Sequence, residues 1–466
     1  MLIRRIYDDD LAQASYLVGC QATGEAVVID PRREPGVYID EAQRNGMEIV
    51  AVTDTHIHAD YLSGARELAQ ATGAALHLSD EGGPDWQYGF EHEGLRDGDE
   101  IRVGNIILRA VHTPGHTPEH LSFLVTDSAA TELPGYLFTG DFVFVGDLGR
   151  PDLLDEAAGG EDTRFPMARQ LFRSLKERFL ALPDYVQVFP GHGSGSACGK
   201  ALGALESTTV GYERATSWWA PYVLDGDEEG FVTALLDGQP DAPLYFGRMK
   251  RQNRQGPALL GEREQLPSLA SDELRAKLVA GAVLLDTRPR AEYVQGAVPR
   301  SLHVPAGRSF AGWAAWALDP ESSDNEIVLV AASQHQAQDL RRRLAFVGID
   351  RVTGFVTDLG DLPTEPVARL TPHDLEGTEG AFVLDVRSQA EYDAGHIPGA
   401  QQLHGGRVLW NLDSLPQDRP IVTHCLSGAR SSVVASALRA AGFENVFELE
   451  GSYQAWVQAQ RERVGA

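Results

Sequence analysis

An internal repeat in the second half of the chain constrains the fold more than any other feature of the sequence. Residues 283–299 (VLLDTRPRAEYVQGAVP) align without a gap with residues 382–398 (FVLDVRSQAEYDAGHIP), at a spacing of 99. Further along, residues 327–352 align with residues 421–446 at a spacing of 94. Each copy has the pattern of strand, loop, helix and strand that is typical of a small parallel α/β domain with short crossovers. The sequence therefore predicts two copies of one such domain.

A chain of 466 residues is too long for one hydrophobic core. The first 245 residues alternate short apolar runs with turn signals, and helical patterns lie between some of these runs. A polar, glycine-containing stretch follows and predicts a linker. We therefore expect an α/β multidomain protein with a first domain at 1–245, a linker at 246–265, a middle domain at 266–364 and a last domain at 370–466.

The overall charge and the cysteine content restrict the class of partner and the compartment. The formal net charge of −27 argues against nucleic acid or an anionic membrane as a partner. No stretch approaches the roughly 18 apolar residues that a membrane span needs. The three cysteines lie far apart without a CxxC pair, which argues against a disulfide framework and favours a reducing cytoplasm.

Histidine and aspartate residues gather at the ends of four predicted strands in the first domain. The four segments are THIHADYLSG, HTPGHTPEH, FTGDF and FPGHG. A single histidine of this kind is usually an ordinary polar residue. Four strand ends that carry imidazole or carboxylate groups predict a bound metal, because these groups are preferred ligands of zinc and iron. The residues concerned are His56, His58, Asp60, Tyr61, His116, Asp141 and His192.

These segments resemble the metallo-β-lactamase superfamily, whose signature is HxHxDH followed downstream by His, Asp and His. The resemblance implies an αββα sandwich for the first domain. The chain departs from the signature at Tyr61, which replaces the final histidine of HxHxDH. In the dinuclear zinc hydrolases of the superfamily, that histidine and the preceding aspartate help to hold the second metal. Because tyrosine is a poor ligand for a second zinc, we expect a single metal per chain.

The segments TPGHTP and FTGDFVFVGDLGRPDL are similar to the persulfide dioxygenase branch of this superfamily. That branch uses one iron, so the resemblance implies one Fe(II) bound by His56, His116 and Asp141, with open positions for O2 and substrate. Zinc could occupy the same site on heterologous expression. Other residues near these segments would orient the ligands and tune the metal, although polar packing without a part in catalysis is the alternative. They are His58, Asp60, Tyr61 and His192.

Three further residues of the first domain follow from the same resemblance. Arg150 and Asp152 in GDLGRPDL would bind the substrate, with Arg150 at its anionic end, and the alternative for Arg150 is a surface or ion-pair arginine. Cys198 lies in GHGSGSACGK, a stretch that resembles bacterial dioxygenase–rhodanese fusions, where it would serve as an accessory thiol near the iron. Its alternative is a small buried apolar side chain.

The segment THCLSGARSS places Cys425 at the end of a predicted strand and Arg430 at the start of a helix. A short loop from strand to helix aims several backbone N–H groups at the cysteine sulfur, and the helix N-terminus adds partial positive charge. Arg430 would strengthen that field and favour the thiolate below its unperturbed pKa of about 8.5. The same amides would stabilise a persulfide on Cys425, which would make it a carrier of sulfane sulfur.

This loop resembles the C-x-x-G-x-R loop of the rhodanese family, whose six-residue form suits sulfur rather than phosphate. The aligned loop of the middle domain, AASQHQ, has Ala331 in place of the cysteine and Gln336 in place of the arginine. The middle domain therefore cannot carry sulfur by this chemistry. We expect it to act as a spacer, a docking surface or an oligomer interface, and we expect the chain to form a homo-oligomer.

Together the two sites predict an enzyme that acts on low-molecular-weight thiol persulfides. The iron site would oxidise the terminal sulfur with O2 to sulfite, and Cys425 would transfer a sulfane sulfur, giving or using thiosulfate, as in sulfide detoxification. One alternative is a dinuclear zinc hydrolase of the glyoxalase II type, a thioesterase, with an accessory sulfurtransferase. Another is a non-catalytic sulfur sensor or scaffold, which the intact Cys425 and the metal cluster disfavour.

Overall fold

A computed structural model of the chain describes residues 1–157 and 162–464, which form two compact units. The first unit comprises Met1–Ala242 and Phe246–Glu262, and the second comprises Pro243–Tyr245 and the residues from Arg263 onward. Both copies of the repeat therefore belong to the second unit. Within the described residues, no helix is long and apolar enough to cross a bilayer.

Two six-stranded sheets form the centre of the first unit, and in each sheet the strands lie side by side in sequence order. The first sheet contains β1 (Leu2–Asp8), β2 (Gln13–Cys20), β3 (Glu25–Ile29), β4 (Glu48–Thr53), β5 (Ala75–Ser79) and β6 (Glu93–Leu95). The second contains β7 (Glu100–Val103), β8 (Ile106–His112), β9 (Leu121–Asp127), β10 (Tyr136–Gly140), β11 (Gln187–Pro190) and β12 (Thr208–Thr209).

Strand β2 shows why the two sheets stack. All of its residues are buried, and successive side chains point to opposite faces of the sheet. Tyr16 and Val18 pack between the sheets with Phe123 and Phe138 of the second sheet, whereas Leu17 packs on the outer face with Tyr38. Burying one such side chain contributes about 2 kcal/mol. The continuous apolar run of β2 therefore reflects a strand that is covered on both faces.

Helices cover the outer face of each sheet. Those on the first sheet are α1 (Pro35–Arg44) and α2 (Ala65–Thr72), whose buried side chains join the outer cluster around Leu17. The other described helices of the first unit are α3 (Leu153–Ala157), α4 (Arg164–Ser174), α5 (Val210–Thr216), α6 (Ala220–Asp225), α7 (Glu228–Leu236) and, from Phe246 onward, α8 (Tyr245–Gln255). Phe172 of α4 and Phe231 of α7 pack with Val188 of the second sheet. The αββα sandwich that the sequence predicts is confirmed.

The second unit contains two parallel sheets, one from each copy of the repeat. The middle copy has the order β14-β13-β15-β16 and the last copy the order β17-β21-β20-β18-β19. The strands are β13 (Val283–Asp286), β14 (Leu302–His303), β15 (Ile327–Val330), β16 (Val352–Val356), β17 (Arg369–Leu370), β18 (Phe382–Asp385), β19 (Gln401–Gln402), β20 (Ile421–His424) and β21 (Val446–Leu449). The helices are α9 (Ser271–Val279), α10 (Arg290–Tyr293), α11 (Phe310–Ala317), α12 (Gln334–Phe346), α13 (Pro372–Gly377), α14 (Gln389–Asp393), α15 (Ala429–Ala440) and α16 (Ser452–Val464).

Strand register confirms the repeat. Asp286 of β13 pairs with His303 of β14, and Asp385 of β18 pairs with Gln402 of β19, again at the spacing of 99. Every strand pair of both sheets is parallel. The predicted α/β domains with parallel sheets are therefore present twice.

The stretch that the sequence predicts as a linker has a different structure. It begins with helix α8, and its residues as far as Glu262 belong to the first unit. Asn253 of α8 is buried, accepts a hydrogen bond from the Ser63 amide (2.8 Å) and donates to the carbonyls of His58 (2.8 Å) and Tyr61 (2.7 Å). The segment looks like a linker because it is polar, but its polar side chains bind backbone groups of the first domain.

Candidate metal centre and sulfur-transfer loop

Three residues from separate strand ends meet in the interior of the first unit. His56 follows β4, His116 lies between β8 and β9, and Asp141 follows β10. All three are buried, and one ligand atom of each lies within 4.8 Å of the others. Nε2 of His116 is 3.6 Å and Nε2 of His56 is 3.9 Å from Oδ2 of Asp141. His56 Nε2 and Asp141 Oδ2 have no hydrogen-bond partner, so these three groups fit a metal ion well.

The second polar atom of each of these side chains is held by a neighbour. His116 Nδ1 donates to the carbonyl of Arg150 (2.8 Å), and His192 Nδ1 lies 2.7 Å from Oδ1 of Asp141. His56 Nδ1 lies 3.0 Å from the Thr55 hydroxyl, which donates to Asp30 (3.0 Å). Such contacts fix the ring orientation and leave the opposite nitrogen free to bind a metal.

The charges around the site suit this arrangement. Burial and the neighbouring histidines lower the pKa of His56 well below its usual value, and burial also lowers the pKa of His116. Both imidazoles are therefore neutral, as metal ligands must be. Against the effect of burial, Asp141 and Asp60 raise the pKa of His192 well above its usual value, and His192 in turn lowers the pKa of Asp141. His192 thus lies between two carboxylates that favour its protonated form.

His58 and Tyr61 lie beside this triad and contact each other and Asp30. His58 Nε2 lies 3.2 Å from Asp30 Oδ1 and 3.1 Å from the Tyr61 hydroxyl. Against the effect of burial, Asp30 raises the pKa of His58 to about 9. Burial, followed by the charges of Asp30 and Asp54, raises the pKa of Tyr61 well above its usual value. Tyr61 is therefore a neutral phenol, which is a weak metal ligand.

Asp30 is a functional candidate that the sequence pattern did not reveal. One of its oxygens accepts from the Thr55 amide (2.6 Å) and contacts His58, while the other accepts from the Thr55 hydroxyl. It thereby links His56 to His58 through one carboxylate. Its position directly after the apolar strand EAVVI could have predicted it, because the candidate metal ligands also follow the ends of strands.

Cys198 and Asp60 meet beside the triad. Ligand atoms of Asp60, His192 and Cys198 lie within 4.8 Å of one another, and all three residues are buried. Asp60 Oδ2 lies 2.8 Å from His192 Nε2. Burial, followed by the charges of Asp141 and Asp60, raises the pKa of the Cys198 thiol well above its usual value. The structure therefore places this thiol near the metal triad and in its protonated form.

Arg150 is buried and forms several polar contacts. Its guanidinium donates to both carboxylate oxygens of Asp152 (2.8 and 2.7 Å) and to the carbonyls of Ala197 (3.3 Å) and Pro240 (2.6 Å). Its backbone amide donates to the Cys198 carbonyl (3.0 Å). Arg150 and Asp152 therefore fasten the loop that supports His116 to the segment that carries Cys198.

In the last copy of the repeat, Cys425 lies directly after β20 and is buried. The Gly428 amide donates to its sulfur at 3.1 Å, and the Ser431 hydroxyl does so at 3.7 Å. Burial raises the pKa of the Cys425 thiol, but the Ser431 amide, the charge of Arg430 and the Gly428 amide lower it further, so the net change is downward. Arg430 also forms a two-pronged ion pair with Glu391 (2.6 and 2.8 Å) and lowers the pKa of Glu391 to about 2.

The corresponding loop of the middle copy is closed by its own side chains. Gln336 Oε1 accepts a hydrogen bond from the Ala332 amide (2.6 Å), and the Ser333 hydroxyl accepts from the Gln336 amide (3.2 Å). Ala331 takes the place of Cys425 and is buried. The amides of Ala332 and Gln336 therefore already have partners within the loop.

Sequence profiles of known families match both parts of the chain. The metallo-β-lactamase superfamily profile matches residues 8–192, and the rhodanese-like domain profile matches residues 270–356 and 372–459. The solved structure of a metallo-β-lactamase from Staphylococcus aureus subsp. aureus COL is 37% identical and covers 77% of this chain and 99% of its own, with a TM-score of 0.68. The chain therefore belongs to the metallo-β-lactamase superfamily and carries two rhodanese-like domains.

Curated relatives of the first domain have two different activities. A mitochondrial persulfide dioxygenase from Bos taurus is 26% identical over 202 residues, which are 41% of this chain and 68% of that protein. A hydroxyacylglutathione hydrolase from Nitrosococcus oceani is 32% identical over 179 residues, which are 38% of this chain and 61% of that protein. The chain thus spans less than two thirds of that hydrolase. These similarities support an enzyme with a metal site, and they favour neither activity over the other.

Proposed function

We propose that the first unit binds one Fe(II) and oxidises the terminal sulfur of a low-molecular-weight thiol persulfide. The observation that carries this proposal is the buried group of two histidines and one aspartate, with Tyr61 bound to Asp30 and His58 where the signature has a metal-binding histidine. A 2-His-1-carboxylate set leaves positions open on iron for O2 and for a substrate sulfur. The balanced reaction is RSSH + O2 + H2O → RSH + SO3²⁻ + 2 H⁺.

Each polar neighbour of the triad has a proposed role. The His116–Arg150 and His56–Thr55 hydrogen bonds hold the two imidazole rings so that their Nε2 atoms converge. The contact with His192 favours the charged form of Asp141. The buried guanidinium of Arg150 pairs with Asp152, which favours the ion-pair alternative over contact with the anionic end of the substrate. For Cys198 we propose the role of an accessory thiol. Asp60 orients His192.

We further propose that Cys425 transfers sulfane sulfur. The thiolate attacks the outer sulfur of a persulfide: Cys–S⁻ + RSSH → Cys–S–SH + RS⁻. Sulfite then takes that sulfur as thiosulfate: Cys–S–S⁻ + SO3²⁻ → Cys–S⁻ + S2O3²⁻. The Gly428 and Ser431 contacts to the sulfur support this role, because they stabilise an anion on Cys425 both before and after sulfur loading. The reverse direction would use thiosulfate to load Cys425.

A metal-dependent hydrolase of the glyoxalase II type is the second candidate. It is favoured by the similarity to the hydroxyacylglutathione hydrolase and by the group of Asp60, His192 and Cys198, whose atoms could hold a second metal. The neutral phenol of Tyr61 argues against it, since a second zinc of that type would lose one of its usual ligands.

Metal analysis combined with an oxygen electrode tests both candidates. We expect about one iron per chain in protein produced in iron-sufficient medium, and O2 uptake with persulfides of glutathione, coenzyme A or cysteine. Two tightly bound zinc ions per chain, thioester hydrolysis and no O2 uptake would instead establish the hydrolase. The three free cysteines suit a reducing compartment such as the cytoplasm, and the homo-oligomer remains a prediction that light scattering can check.

A further inference from the structure

A buried carboxylate in the last copy of the repeat is paired with an arginine of the middle copy. Glu448 lies in β21 and is completely buried. Nη2 and Nε of Arg290, from α10 of the middle copy, lie 2.7 and 3.2 Å from Oε2 of Glu448. Arg439 of the last copy approaches the same carboxylate less closely, with Nη2 3.9 Å from Oε1. A buried charge without a close partner is strongly destabilising, so Glu448 depends on the middle copy.

The same arginine packs against the sulfur-transfer loop. Gly428 has φ of +112°, and a Cβ atom added there would lie 3.0 Å from Cζ of Arg290 and 3.2 Å from its Nε. Gly428 is also the residue whose amide donates to the Cys425 sulfur. Arg290 therefore contacts the backbone of the loop at the point that faces the nucleophile.

Other contacts between the copies fix this arrangement. Ser432, in the first turn of α15, donates to Oε1 of Glu448 (3.2 Å), and its hydroxyl lies 2.8 Å from Nδ1 of His303 in the middle copy. The His303 amide donates to the Ser436 hydroxyl (2.9 Å). Polar groups of the middle copy thus hold the first two turns of the helix that begins at the sulfur loop.

Neither copy contains this ion pair by itself. At the spacing of 99, the counterpart of Arg290 is Gln389, and at the spacing of 94 the counterpart of Glu448 is Gly354, which is followed by Phe355. The middle copy therefore has the cation without the anion, and the last copy has the anion without this cation. The pair exists only where the two copies meet.

We propose that Arg290 of the middle copy is a positioning residue for the Cys425 loop. It neutralises Glu448 and keeps Gly428 in the position from which its amide binds the Cys425 sulfur. The middle domain then has a part in the chemistry although it has no nucleophile of its own. The effect on sulfur transfer rests on the proposed function of Cys425, whereas the effect on the reactivity of the thiol does not.

The test compares three variants of the full-length protein: Arg290→Ala, Arg290→Lys and the control Arg300→Ala. Arg300 also bonds the last copy, with Nη2 3.1 Å from the Ala440 carbonyl, but at the far end of α15. Alkylation of Cys425 by iodoacetamide is followed against pH by mass spectrometry of the Cys425 peptide, and thiosulfate:cyanide transfer is measured in parallel.

We expect Arg290→Ala to raise the midpoint of Cys425 alkylation by about one pH unit, which is a tenfold loss of thiolate at neutral pH. Sulfur transfer should fall about tenfold through kcat, with Arg290→Lys between the two and Arg300→Ala like the wild type. O2 uptake at the metal site should not change. A midpoint for Arg290→Ala equal to that of Arg300→Ala would overturn the proposal.

A second pair of variants covers the case in which Arg290→Ala does not fold. Glu448→Gln removes the buried charge, so the double variant Arg290→Met/Glu448→Gln should fold. In this variant Gly428 still lacks the guanidinium that lies beside it in the wild type. A raised midpoint in the double variant relative to Glu448→Gln supports the proposal, and an equal midpoint refutes it. If the wild type transfers no sulfur but the Arg290 variants still shift the midpoint, the proposed function of Cys425 fails and the positioning role stands.

Discussion

The two copies of the repeat share strand register, yet the helices that follow β15 and β20 are capped differently at their N-termini. In the middle copy, Ser333 caps helix α12, and its hydroxyl accepts a hydrogen bond from the Gln336 amide. In the last copy, Gly428 precedes helix α15, and no side chain caps that helix. The first amides of a helix need acceptors, and a capping side chain supplies one. In the last copy, which has no capping side chain, the Cys425 sulfur acts as the acceptor instead.

This difference shows how one fold can hold a reactive thiol in one copy and none in the other. The loss of the nucleophile at Ala331 is accompanied by side chains that accept from the Ala332 and Gln336 amides, so these two donors are not available to an anion. In the last copy, the Gly428 amide and the Ser431 hydroxyl donate to the Cys425 sulfur. Against the effect of burial, these contacts and the charge of Arg430 lower the pKa of the Cys425 thiol. The two copies thus differ in the acceptors of their loop amides as well as in the cysteine itself.

The largest effect is expected from Cys425→Ser. Serine is a far weaker nucleophile at neutral pH, so sulfur transfer should fall by a factor on the order of a thousand or more. The initial rate of O2 uptake should stay the same, while the product changes from thiosulfate mainly to sulfite. Ion chromatography of sulfite and thiosulfate checks this. If O2 uptake stops, the sulfur must pass from Cys425 to the metal site; if neither product nor rate changes, the last copy does not act in the reaction.

A comparable loss of activity at the metal site is expected from His116→Ala or Asp141→Ala. Removing one of the three converging ligands should abolish O2 consumption and reduce the bound metal. The reactivity of Cys425 should be unchanged, because the metal ligands and Cys425 belong to different compact units. Oxygen-electrode, metal-content and thiosulfate:cyanide assays on the same preparations measure this. Loss of both activities in a folded variant would contradict the independence of the two units.

A smaller effect is expected from Gly428→Ala. Alanine is strained at φ +112°, and its Cβ would meet Arg290 at 3.0 Å, so the amide should move away from the Cys425 sulfur. We expect a loss of roughly 1–3 kcal/mol in the free energy of unfolding and about a tenfold loss in kcat, or about 1.4 kcal/mol of barrier.

Gly442→Ala is the matched control for this variant. Gly442 has φ of +101° in the same domain, but nothing lies within 4 Å of its added Cβ. It should lose similar stability and keep its transfer rate. Equal transfer rates in the two variants would show that the Gly428 amide does not assist Cys425.

The smallest effect is expected from placing a thiol in the middle copy. Ala331→Cys should titrate near the unperturbed value of about 8.5 and show little sulfur transfer, since Gln336 and Ser333 still bind the loop amides. Adding Gln336→Arg should lower the midpoint only in part. The pH dependence of alkylation at position 331 measures both. If Ala331→Cys transferred sulfur as fast as Cys425 does, the loop amides would not explain why the two copies differ in reactivity.

The sequence alone determined several features of this protein, because they depend on local pattern. Strand and helix signals at fixed spacings predicted the two parallel domains, and the polar residues at strand ends predicted a bound metal. The resemblance to the persulfide dioxygenases implied His56, His116 and Asp141 as its ligands, and these three residues form a buried group. The loop from Cys425 to Arg430 could be recognised because all of its chemistry lies within six consecutive residues.

Only the tertiary structure decided which distant groups meet. Asn253 belongs to the first domain because its amide binds backbone groups nearly two hundred residues earlier, which no local polarity pattern reveals. Asp30 joins the metal site through Thr55 and His58, on a neighbouring strand end. The pair of Arg290 and Glu448 forms between two copies that each lack one partner. Such contacts depend on packing, and a buried charge can be interpreted only when its partner is known.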